Sequence, residues 1–332
     1  MEVKLICDIR ENFPKNMLDN TLNFTDHPPI ENILEIKSMV EKCGYTCSVF
    51  GGIPELIDAN NKGLKFDDCI TLNLTDGLEM DCGRAQAPIL LEMMGALYSG
   101  ANPFQAALID NKYYMKLAVK DMNILVPKSF LIHPNDVITE NQILKIGFPA
   151  IIKPNTKGSS IGITQKNICY DLNYTYTLIS NMKKQFGEIL IEQFIPGYEI
   201  TNFIIGNTKK YYINIPVVEE FHGNMIHNNE VMAIEDKAYR TRTFHLCEDI
   251  LGKNTANKIK KTSQKIKESL KVNDILRIDY RITESGHIYF LEANTVPRIC
   301  SKNEAGFICK SLSKSYDFFI LCLLNSVLDR YK

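Results

Sequence analysis

Hydrophobic residues in the first third of the chain alternate between short continuous runs and the spacing of amphipathic helices. Short segments rich in apolar residues over 3–9, 46–50 and 69–73 predict strands. Residues 29–43 and 87–97 carry apolar side chains three and four positions apart, which predicts helices. Because strands and helices alternate, we expect a doubly wound α/β domain in this part of the chain.

The pattern changes to that of an α+β protein in the second third. Short strand-like runs at residues 129–133, 148–154, 160–165 and 189–194 accompany one helical segment, at residues 172–184. Two more strand-like runs, a helical segment, a hairpin and a closing helical segment follow. The pattern therefore predicts three domains, over residues 1–110, 111–190 and 191–332.

A β-hairpin is predicted over residues 276–297, LRIDYRITESGHIYFLEANTVP. Both halves are rich in β-forming residues, and Ser285-Gly286 between them is typical of a two-residue hairpin turn. Such a turn pairs Glu284 with His287. This pairing decides which side chains of the two strands lie opposite each other.

The predicted register gathers polar side chains on one face of the hairpin. Asp279 lies opposite Glu292, and Arg277 lies opposite Asn294, with opposed Cβ atoms about 5 Å apart. Two carboxylates and an amide oxygen favour a hard cation such as Mg²⁺, which commonly takes substrate phosphates as further ligands. A solvated acidic face is the alternative, but the intervening residues are apolar. The hairpin therefore indicates a metal site suited to ATP chemistry.

A glycine–serine loop follows a strand that ends in a lysine. Lys153 closes the strand, and Lys157, Gly158, Ser159 and Ser160 come directly after it. Glycine lets the backbone approach a phosphate closely, and N–H and hydroxyl groups can donate to it. The sequence continues into a strand-like run rather than a helix, so it is not a Walker A motif. We interpret it as a hairpin flap over phosphates, with an ordinary turn as the alternative.

A second strand end, in ILIEQFIPGYE, offers groups for the rest of a nucleotide. The backbone over Gln193, Phe194 and Ile195 can bind an adenine edge, and Glu192 can accept from the exocyclic amine. Glu199 is placed to accept from ribose hydroxyl groups. A solvated turn is the alternative for this segment.

Composition narrows the class of protein further. The chain has 332 residues and a formal net charge of −1, with a pI of about 6.6, which gives no global attraction to nucleic acid or an anionic membrane. No apolar run is long enough to span a bilayer. Ten cysteines include no CxxC pair, so we expect reduced thiols in a cytoplasmic protein.

Taken in order, FPAIIKPNTKGSSIGI, ILIEQFIPGYEIT and RIDYRITESGHIYFLEANTVP resemble the ATP-grasp superfamily, in its D-alanine–D-alanine ligase-like branch. The resemblance covers about residues 85–325 and includes APILLEMMGALYSGANPFQAALIDNK. It implies an α/β and α+β, three-domain ATP-grasp fold, with ATP between the central and C-terminal domains. It also implies small amino-acid-like substrates and a homodimer.

The resemblance also implies a role for individual residues. Lys112 and Lys153 would contact phosphates, with Lys157, Gly158, Ser159 and Ser160 forming the flap. Gln193, Phe194 and Ile195, together with Glu192, would hold adenine, and Glu199 would hold ribose. Asp279, Glu292 and Asn294 would bind two Mg²⁺ ions, for which Mn²⁺ could substitute. Arg277, Lys237, Ser160 and Glu31 would act in catalysis, Arg277 on the acyl phosphate and the tetrahedral intermediate, and Glu31 on a substrate amine.

The sequence departs from the family at the substrate end. It lacks the early Gly-Gly-x-Ser-x-Glu signature, Ala238 follows the loop lysine where tyrosine is usual, and Arg298 replaces a glycine. Arg298, Ser301 and Asn303 are therefore predicted to contact the substrate, with a structural salt bridge as the alternative for Arg298. Arginine binds a carboxylate in a bidentate manner.

The leading hypothesis is an ATP-dependent carboxylate–amine ligase that forms an amide through an acyl phosphate and releases ADP and phosphate. A cell-wall D-alanine–D-alanine ligase is one alternative, and the altered substrate end favours a specialised-metabolite ligase over it. A non-catalytic, nucleotide-binding regulatory protein is another alternative. A dinucleotide-dependent oxidoreductase is disfavoured because no GxGxxG follows the first strand.

Overall fold

The computed structural model describes residues 1–12, 27–78, 81–233 and 242–331 and arranges them around three β-sheets. Within these residues, no helix combines the length and the apolar character that a membrane crossing requires. Two short 3₁₀ helices, Arg10–Asn12 and Gln165–Asn167, accompany the main elements.

The main elements follow one another along the chain as β1 (Glu2–Ile6), α1 (Ile30–Lys42), β2 (Thr46–Gly51), α2 (Ile53–Asn61), β3 (Cys69–Asn73), α3 (Gly83–Met93), β4 (Leu97–Tyr98), α4 (Pro103–Asp110), α5 (Lys112–Asp121), β5 (Ser129–Ile132), α6 (Glu140–Ile146), β6 (Ala150–Pro154), β7 (Ile168–Cys169), α7 (Leu172–Phe186), β8 (Ile189–Gln193), β9 (Gly197–Asn207), β10 (Lys210–Glu220), β11 (Ile226–His227), β12 (Thr243–Leu246), α8 (Cys247–Ser269), β13 (Ile275–Ile282), β14 (Ile288–Asn294), α9 (Glu304–Ser311) and α10 (Asp317–Tyr331).

The N-terminal sheet is parallel, as the alternating pattern predicted. Its strand order is β2-β1-β3-β4. All five residues of Cys69–Asn73 are buried, including the polar Thr71 and Asn73, as expected for an inner strand of a parallel sheet. The helix predicted at residues 87–97 is α3, four residues earlier than expected.

The central sheet is antiparallel, in the order β5-β8-β6-β7. The strand predicted at residues 160–165 is wrong: the chain there forms turns and enters a 3₁₀ helix. Asn167 explains the difference, because its Nδ2 donates to the Ile152 carbonyl at 2.7 Å and to the Gly162 carbonyl at 2.9 Å. The side chain ties the loop to β6, and the glycine–serine loop is not a hairpin.

The C-terminal sheet is antiparallel, in the order β12-β10-β9-β13-β14, with β11 also paired to β9. Helix α8 covers one face, where Ser263 Oγ lies 2.8 Å from the hydroxyl of the buried Tyr280. The opposite face carries the polar side chains of the predicted hairpin.

The N-terminal and C-terminal sheets share one hydrophobic core. Leu5 and Leu72 of the first belong to the same cluster as Phe203 of the third, and Phe319 of α10 joins them. The rings of Phe203 and Phe319 meet edge to face, with centroids 5.5 Å apart. Because α10 packs on both sheets, it fixes their relative position.

Helix α5 belongs by its packing to the C-terminal sheet. Met115 and Val119 lie in the same core cluster as Tyr280 and Phe290. The domain limits 1–110, 111–190 and 191–332 stay a prediction, and the limit at residue 190 falls inside β8.

Candidate active site

A cleft of about 380 Å³ opens where the three sheets meet. Each sheet or its helices contributes to the lining, as Asn32, Leu74, Lys153, Glu192, Asp279 and Glu292 illustrate. The cleft therefore brings together segments that are more than 200 residues apart in the chain.

The register of the β13–β14 hairpin confirms the predicted pairing at the cleft. Arg277 pairs with Asn294, and Asp279 pairs with Glu292. The register then shifts between Asp279 and Tyr280, so that strand β14 carries a bulge at the cleft.

The predicted two-residue turn of this hairpin is wrong. The Thr283 N–H donates to the His287 carbonyl, so three residues form the loop, and Gly286 adopts the left-handed conformation with φ of +84°. The longer turn moves the register by one residue, and the bulge at Leu291 moves it back. The two deviations cancel before the strands reach Asp279.

The polar face of the hairpin forms an oxygen-rich cradle. Arg277 holds Asp279 in a fork, with Nε–Oδ1 at 3.1 Å and Nη2–Oδ2 at 2.8 Å. The Thr201 hydroxyl donates to Asp279 Oδ1 at 2.8 Å. Asn294 Oδ1 accepts from the Val296 N–H at 2.9 Å, which fixes the orientation of the amide.

The charges of the cradle perturb one another. Burial raises the pKa of Asp279, and repulsion from Glu292 raises it further. Burial alone would lower the pKa of Arg277, but the carboxylates of Asp279 and Glu304 outweigh it and raise the pKa. The carboxylates thus meet in a partly desolvated setting, where a further positive charge is favourable.

A divalent cation fits this donor set. Asp279 and Glu292 provide carboxylate oxygens, and Asn294 provides an amide oxygen, which is the chemistry that Mg²⁺ prefers. Within the described ranges, no group of three or more His, Cys, Asp or Glu side chains could hold a metal. The third protein ligand would therefore be Asn294.

Three lysines from two elements surround the cradle. Lys153 Nζ lies 2.9 Å from Glu192 Oε1, and Lys116 Nζ lies 2.9 Å from Glu192 Oε2. Lys112 Nζ lies 3.7 Å from Glu292 Oε2 and donates to the Lys157 carbonyl. Lys116 was missed in the sequence, although its position one helical turn after Lys112 places both on one face of α5.

Burial and the paired carboxylates act in opposite directions on these lysines. Burial lowers the pKa of Lys116 to about 8, despite the opposing effect of Glu192. Burial likewise lowers the pKa of Lys112. Burial also disfavours the charge of Lys153, but Glu192 and Glu292 together raise its pKa.

Glu192 is the buried counterion of two lysines. Its carboxylate lines the cleft wall, and each oxygen faces one lysine ammonium group. An adenine amine that contacted Glu192, as predicted, would have to bind a carboxylate oxygen that already faces a lysine ammonium group. The structure gives Glu192 a direct role in orienting Lys116 and Lys153.

An apolar slot lies beside these charges. Phe194, Ile151, Ile163 and Val231 pack together and line the cleft. Such a slot suits the flat face of a nucleotide base. The predicted residues Gln193 and Ile195 line the cleft next to it.

Glu199 lines the cleft in contact with an arginine. Arg281 Nη2 donates to Glu199 Oε2 at 2.6 Å, and the Arg281 guanidinium lies 5.6 Å from the centre of the Phe194 ring. Arg281 was not among the predicted site residues, although it shares the polar face of β13 with Asp279.

The glycine–serine loop places its two serines at the cleft. Ser159 and Ser160 line it, with φ of +46° and +59°. Two successive residues in the left-handed conformation make a tight turn. Two backbone hydrogen bonds close it: the Ile161 N–H donates to the Gly158 carbonyl, and the Ile163 N–H donates to the Ser160 carbonyl, both at 2.9 Å. Lys157 and Gly158 are outside the lining residues.

The structure places one of the two further catalytic predictions, Glu31, and places it outside the cleft lining. Glu31 is exposed, whereas the neighbouring Asn32 lines the cleft, and its Nδ2 donates to the Ile299 carbonyl at 2.9 Å. The helical rotation between adjacent residues explains the difference. Lys237 lies outside the described residues.

Two of the three predicted substrate residues line the cleft, and the third does not. Arg298 and Asn303 line the cleft. Asn303 also caps α9 and donates to the Arg298 carbonyl at 2.7 Å. Ser301 is outside the lining residues, and its hydroxyl donates to Glu35 of α1.

Ion pairs that the sequence did not predict also line the cleft. Arg242 Nη1 bridges Glu219 at 3.0 Å and Glu304 at 2.9 Å. Arg84 lies 2.8 Å from Asp76. The partners of Arg242 are 23 and 62 residues away, whereas Arg84 and Asp76 are eight residues apart; neither spacing is that of a regular helix or strand pair.

Comparisons with known proteins agree with this geometry. The family model described as D-ala D-ala ligase C-terminus matches residues 114–320. D-alanine–D-alanine ligase B of Chromobacterium violaceum is 27% identical over 263 residues, which covers 78% of this chain and 80% of the relative. The D-alanine–D-alanine ligase of Phocaeicola vulgatus is 29% identical over 207 residues, which covers 62% of this chain and 61% of that relative.

Two solved structures share the fold over nearly the whole chain. The ATP complex of D-alanine–D-alanine ligase from Bacillus anthracis has a TM-score of 0.75 at 18% identity and covers 99% of this chain and 98% of that one. The VanG D-Ala:D-Ser ligase from Enterococcus faecalis has a TM-score of 0.71 at 17% identity, covering 98% and 99%. The predicted three-domain ATP-grasp fold is confirmed.

Proposed function

The chain belongs to the D-alanine–D-alanine ligase family, and on this premise we propose that it joins a carboxylate to an amine at the expense of ATP. It is an ADP-forming ATP-grasp ligase that makes C–N bonds. Its substrates are small amino acids or amino-acid-like molecules, and its products are an amide, ADP and phosphate.

One observation carries this proposal. The carboxylates of Asp279 and Glu292 face each other in a cleft wall that also presents Arg277 and Lys153. Phosphoryl transfer needs little covalent chemistry from a protein, but it needs positioning and charge neutralisation. These four side chains supply both.

The nucleotide would lie across the central and C-terminal sheets. Lys153 and Lys112 would bind phosphate oxygens, and the Ser159–Ser160 turn would cover them. The adenine would enter the apolar slot beside Phe194, and Glu199 would accept from ribose hydroxyl groups. The burial of the lysines favours strong electrostatic contact with phosphate.

Asp279, Glu292 and Asn294 would hold two Mg²⁺ ions, for which Mn²⁺ could substitute. When bound, these ions neutralise phosphate charge and act as Lewis acids. Arg277, fixed by Asp279, would stabilise the oxyanion that develops at the substrate carbonyl. By the family resemblance, Lys237 would contact the γ-phosphate of ATP.

The reaction then has two steps. A substrate carboxylate oxygen attacks the γ-phosphorus of ATP, the bond to the bridging oxygen breaks, and ADP leaves with an acyl phosphate formed. The amine of the second substrate attacks the acyl carbon, the C–O bond to phosphate breaks, and the amine loses a proton. Water would hydrolyse the acyl phosphate, so the reaction requires water to be excluded from the cleft.

The two substrates need not be D-alanine. The family relatives are named for that activity, but Arg298, which departs from the glycine that the family resemblance leads us to expect, lines the cleft. We therefore favour a ligase with other substrates over a cell-wall ligase. The predicted homodimer stays a prediction.

Phosphate release from ATP and Mg²⁺ tests the proposal, with D- and L-amino acids supplied singly and in pairs and products identified by mass spectrometry. We expect release that depends on one pair, with a product mass equal to both substrates minus water. Tight ATP binding without release for any pair would instead support the non-catalytic regulatory protein.

A further inference from the structure

We infer that a second cavity, outside the active-site cleft, binds a small organic anion that carries a carboxylate or a phosphate on an apolar body. The cavity has a volume of about 540 Å³ and lies between helix α5, strand β5 and helix α6. Helix α5 packs on the C-terminal sheet, whereas β5 and α6 share the core of the central sheet. Small-molecule sites have volumes of this order and occur preferentially at such junctions between structural units.

Most of the lining surface of this cavity is apolar. Leu117 of α5, Phe130 of β5 and Ile146 of α6 contribute to it from three elements, and Val126 and Pro127 join them from the connecting segment. Leu117 is 47% exposed, and Phe130 and Val126 are only partly buried. Apolar surface that is open to water in a concave site is stabilised when an apolar group covers it.

Three lysines line the same cavity. Lys120 comes from α5, Lys128 precedes β5, and Lys145 lies on α6. All three are exposed, and among the described residues none of their ammonium groups has a hydrogen-bond or ion-pair partner. None of the described residues that line the cavity is Asp or Glu. Like charges around one cavity repel one another, so an anion that binds among them is favoured.

A fourth lysine of the lining, Lys116, belongs to a buried ion pair. Its Nζ lies 2.9 Å from Glu192 Oε2, so its charge is already balanced. Lys116 lines the cavity, whereas Glu192 lines the active-site cleft. The described lining residues of the two sites do not overlap, so the cavity is a separate site that adjoins the nucleotide-binding end of the cleft.

The charge and the surface of the cavity together define the class of ligand. Inorganic phosphate would meet the lysines but leave the apolar lining exposed to water, and a neutral hydrocarbon would do the reverse. Lysine binds anions as a point charge and does not impose the planar geometry that arginine imposes, so carboxylate and phosphate are both compatible. The ligand is therefore an aryl or branched alkyl group with one such anion attached.

Binding of naphthyl phosphate tests the inference. Its intrinsic fluorescence reports the Kd, and Mg²⁺ with a saturating non-hydrolysable ATP analogue keeps the cleft occupied during the titration. Naphthoate replaces the phosphate by a carboxylate, naphthylmethylamine replaces it by a cation, and inorganic phosphate lacks the ring. We expect saturable binding of one or both naphthyl anions, with the amine and inorganic phosphate at least about tenfold weaker, the scale of one charged hydrogen bond.

The comparison of the two anions identifies the source of the ligand. Tighter binding of naphthyl phosphate assigns the site to phosphate esters, and tighter binding of naphthoate assigns it to carboxylic acids. Binding of the amine as tight as that of the anions would overturn the inference, because the lysines would then have no role. Release of the probe by excess ATP analogue would overturn it as well, since the probe would then occupy the cleft.

Variants of the lining locate the bound probe. Lys128→Gln and Lys145→Gln should each weaken the naphthyl anions by about threefold to tenfold. Leu117→Ser should weaken them too, but should leave the weak binding of inorganic phosphate unchanged. Lys258→Gln is the matched control, because Lys258 is exposed on α8 and lines neither the cavity nor the cleft.

None of these four variants changes a residue that we assign to the ligase reaction, so turnover in the absence of the probe should match wild type. A combined Lys128→Gln and Lys145→Gln variant that binds naphthyl phosphate within about twofold of the Lys258→Gln control would overturn the site. The binding measurements do not depend on turnover, so they stand whether or not the proposed ligase activity is observed.

Discussion

Lys116 Nζ and Glu192 Oε2 lie 2.9 Å apart, and both side chains are only 2% exposed. This pair connects α5, which packs on the C-terminal sheet, with β8 of the central sheet. Lys153 binds the other oxygen of the same carboxylate and reaches the cleft. The interior of the protein thus positions a lysine that we assign to phosphate binding.

Removal of Lys116 should destabilise the protein. Lys116→Met fills a similar volume but leaves the buried Glu192 with Lys153 as its remaining cation. Breaking a buried ion pair from one side costs about 3–5 kcal/mol. Urea unfolding should show this loss, and ATP should bind more weakly because Lys153 is drawn toward Glu192. Lys120→Met, on an exposed position of the same helix, should change the free energy of unfolding by less than about 0.5 kcal/mol. Equal stability of both variants would contradict the assignment.

The low pKa of Lys116 predicts a specific pH dependence of stability. Its pKa is about 8 in the folded protein, whereas an unfolded lysine titrates near 10.4. Between these values the unfolded state binds more protons, so the contribution of Lys116 to the free energy of unfolding increases as the pH rises. The difference between wild type and Lys116→Met should therefore grow from pH 8 to pH 10 in urea unfolding. A constant difference over this range would show that Lys116 keeps an ordinary pKa.

Loss of one cradle carboxylate should strongly reduce turnover without affecting the fold. Glu292→Gln keeps the shape of the side chain but removes a charge that a divalent cation requires. We expect turnover to fall by at least about a hundredfold, the scale of losing a key electrostatic group. Circular dichroism should be unchanged. Glu284→Gln, in the exposed turn of the same hairpin, should retain wild-type activity. Near-normal turnover of Glu292→Gln would refute the metal assignment.

The sequence predicted those features that depend on local pattern. The pairing of Asp279 with Glu292 followed from strand alternation, yet the predicted turn was one residue too short, and only the bulge at Leu291 restored the register. Alternation reveals which residues share a face, but a bulge depends on neighbouring strands and helices. Lys116 donates to the Leu291 carbonyl, a contact that no spacing within the hairpin could indicate.

Features set by distant contacts could not be predicted in this way. The glycine–serine loop resembled a strand because its apolar residues alternate, but Asn167 ties it to β6. Glu31, which the family resemblance assigned to a substrate amine, lies one position from Asn32, the residue that lines the cleft, and one position along a helix turns the side chain by about 100°. Arg242, Glu219 and Glu304 come from three separate segments of the chain and meet only in the folded protein.

Removal of Arg242 should affect both stability and its pH dependence. Arg242 opposes the effect of burial on the carboxyl of Glu304 and thereby holds its pKa below the usual range, whereas burial keeps the pKa of Glu219 raised. Arg242→Met leaves two buried carboxylates without their shared partner, which should cost about 3–5 kcal/mol at neutral pH. Because the pKa of Glu304 then rises, the folded variant binds more protons in mildly acidic solution than the unfolded one, and its deficit against wild type should shrink as the pH falls toward 5. Denaturation at both pH values measures the two deficits. Glu219→Gln combined with Arg242→Met should recover part of the lost free energy of unfolding, since it removes one of the two buried carboxylates that lost their partner. A deficit that stays the same at both pH values would mean that the two carboxylates do not depend on Arg242 for their charge.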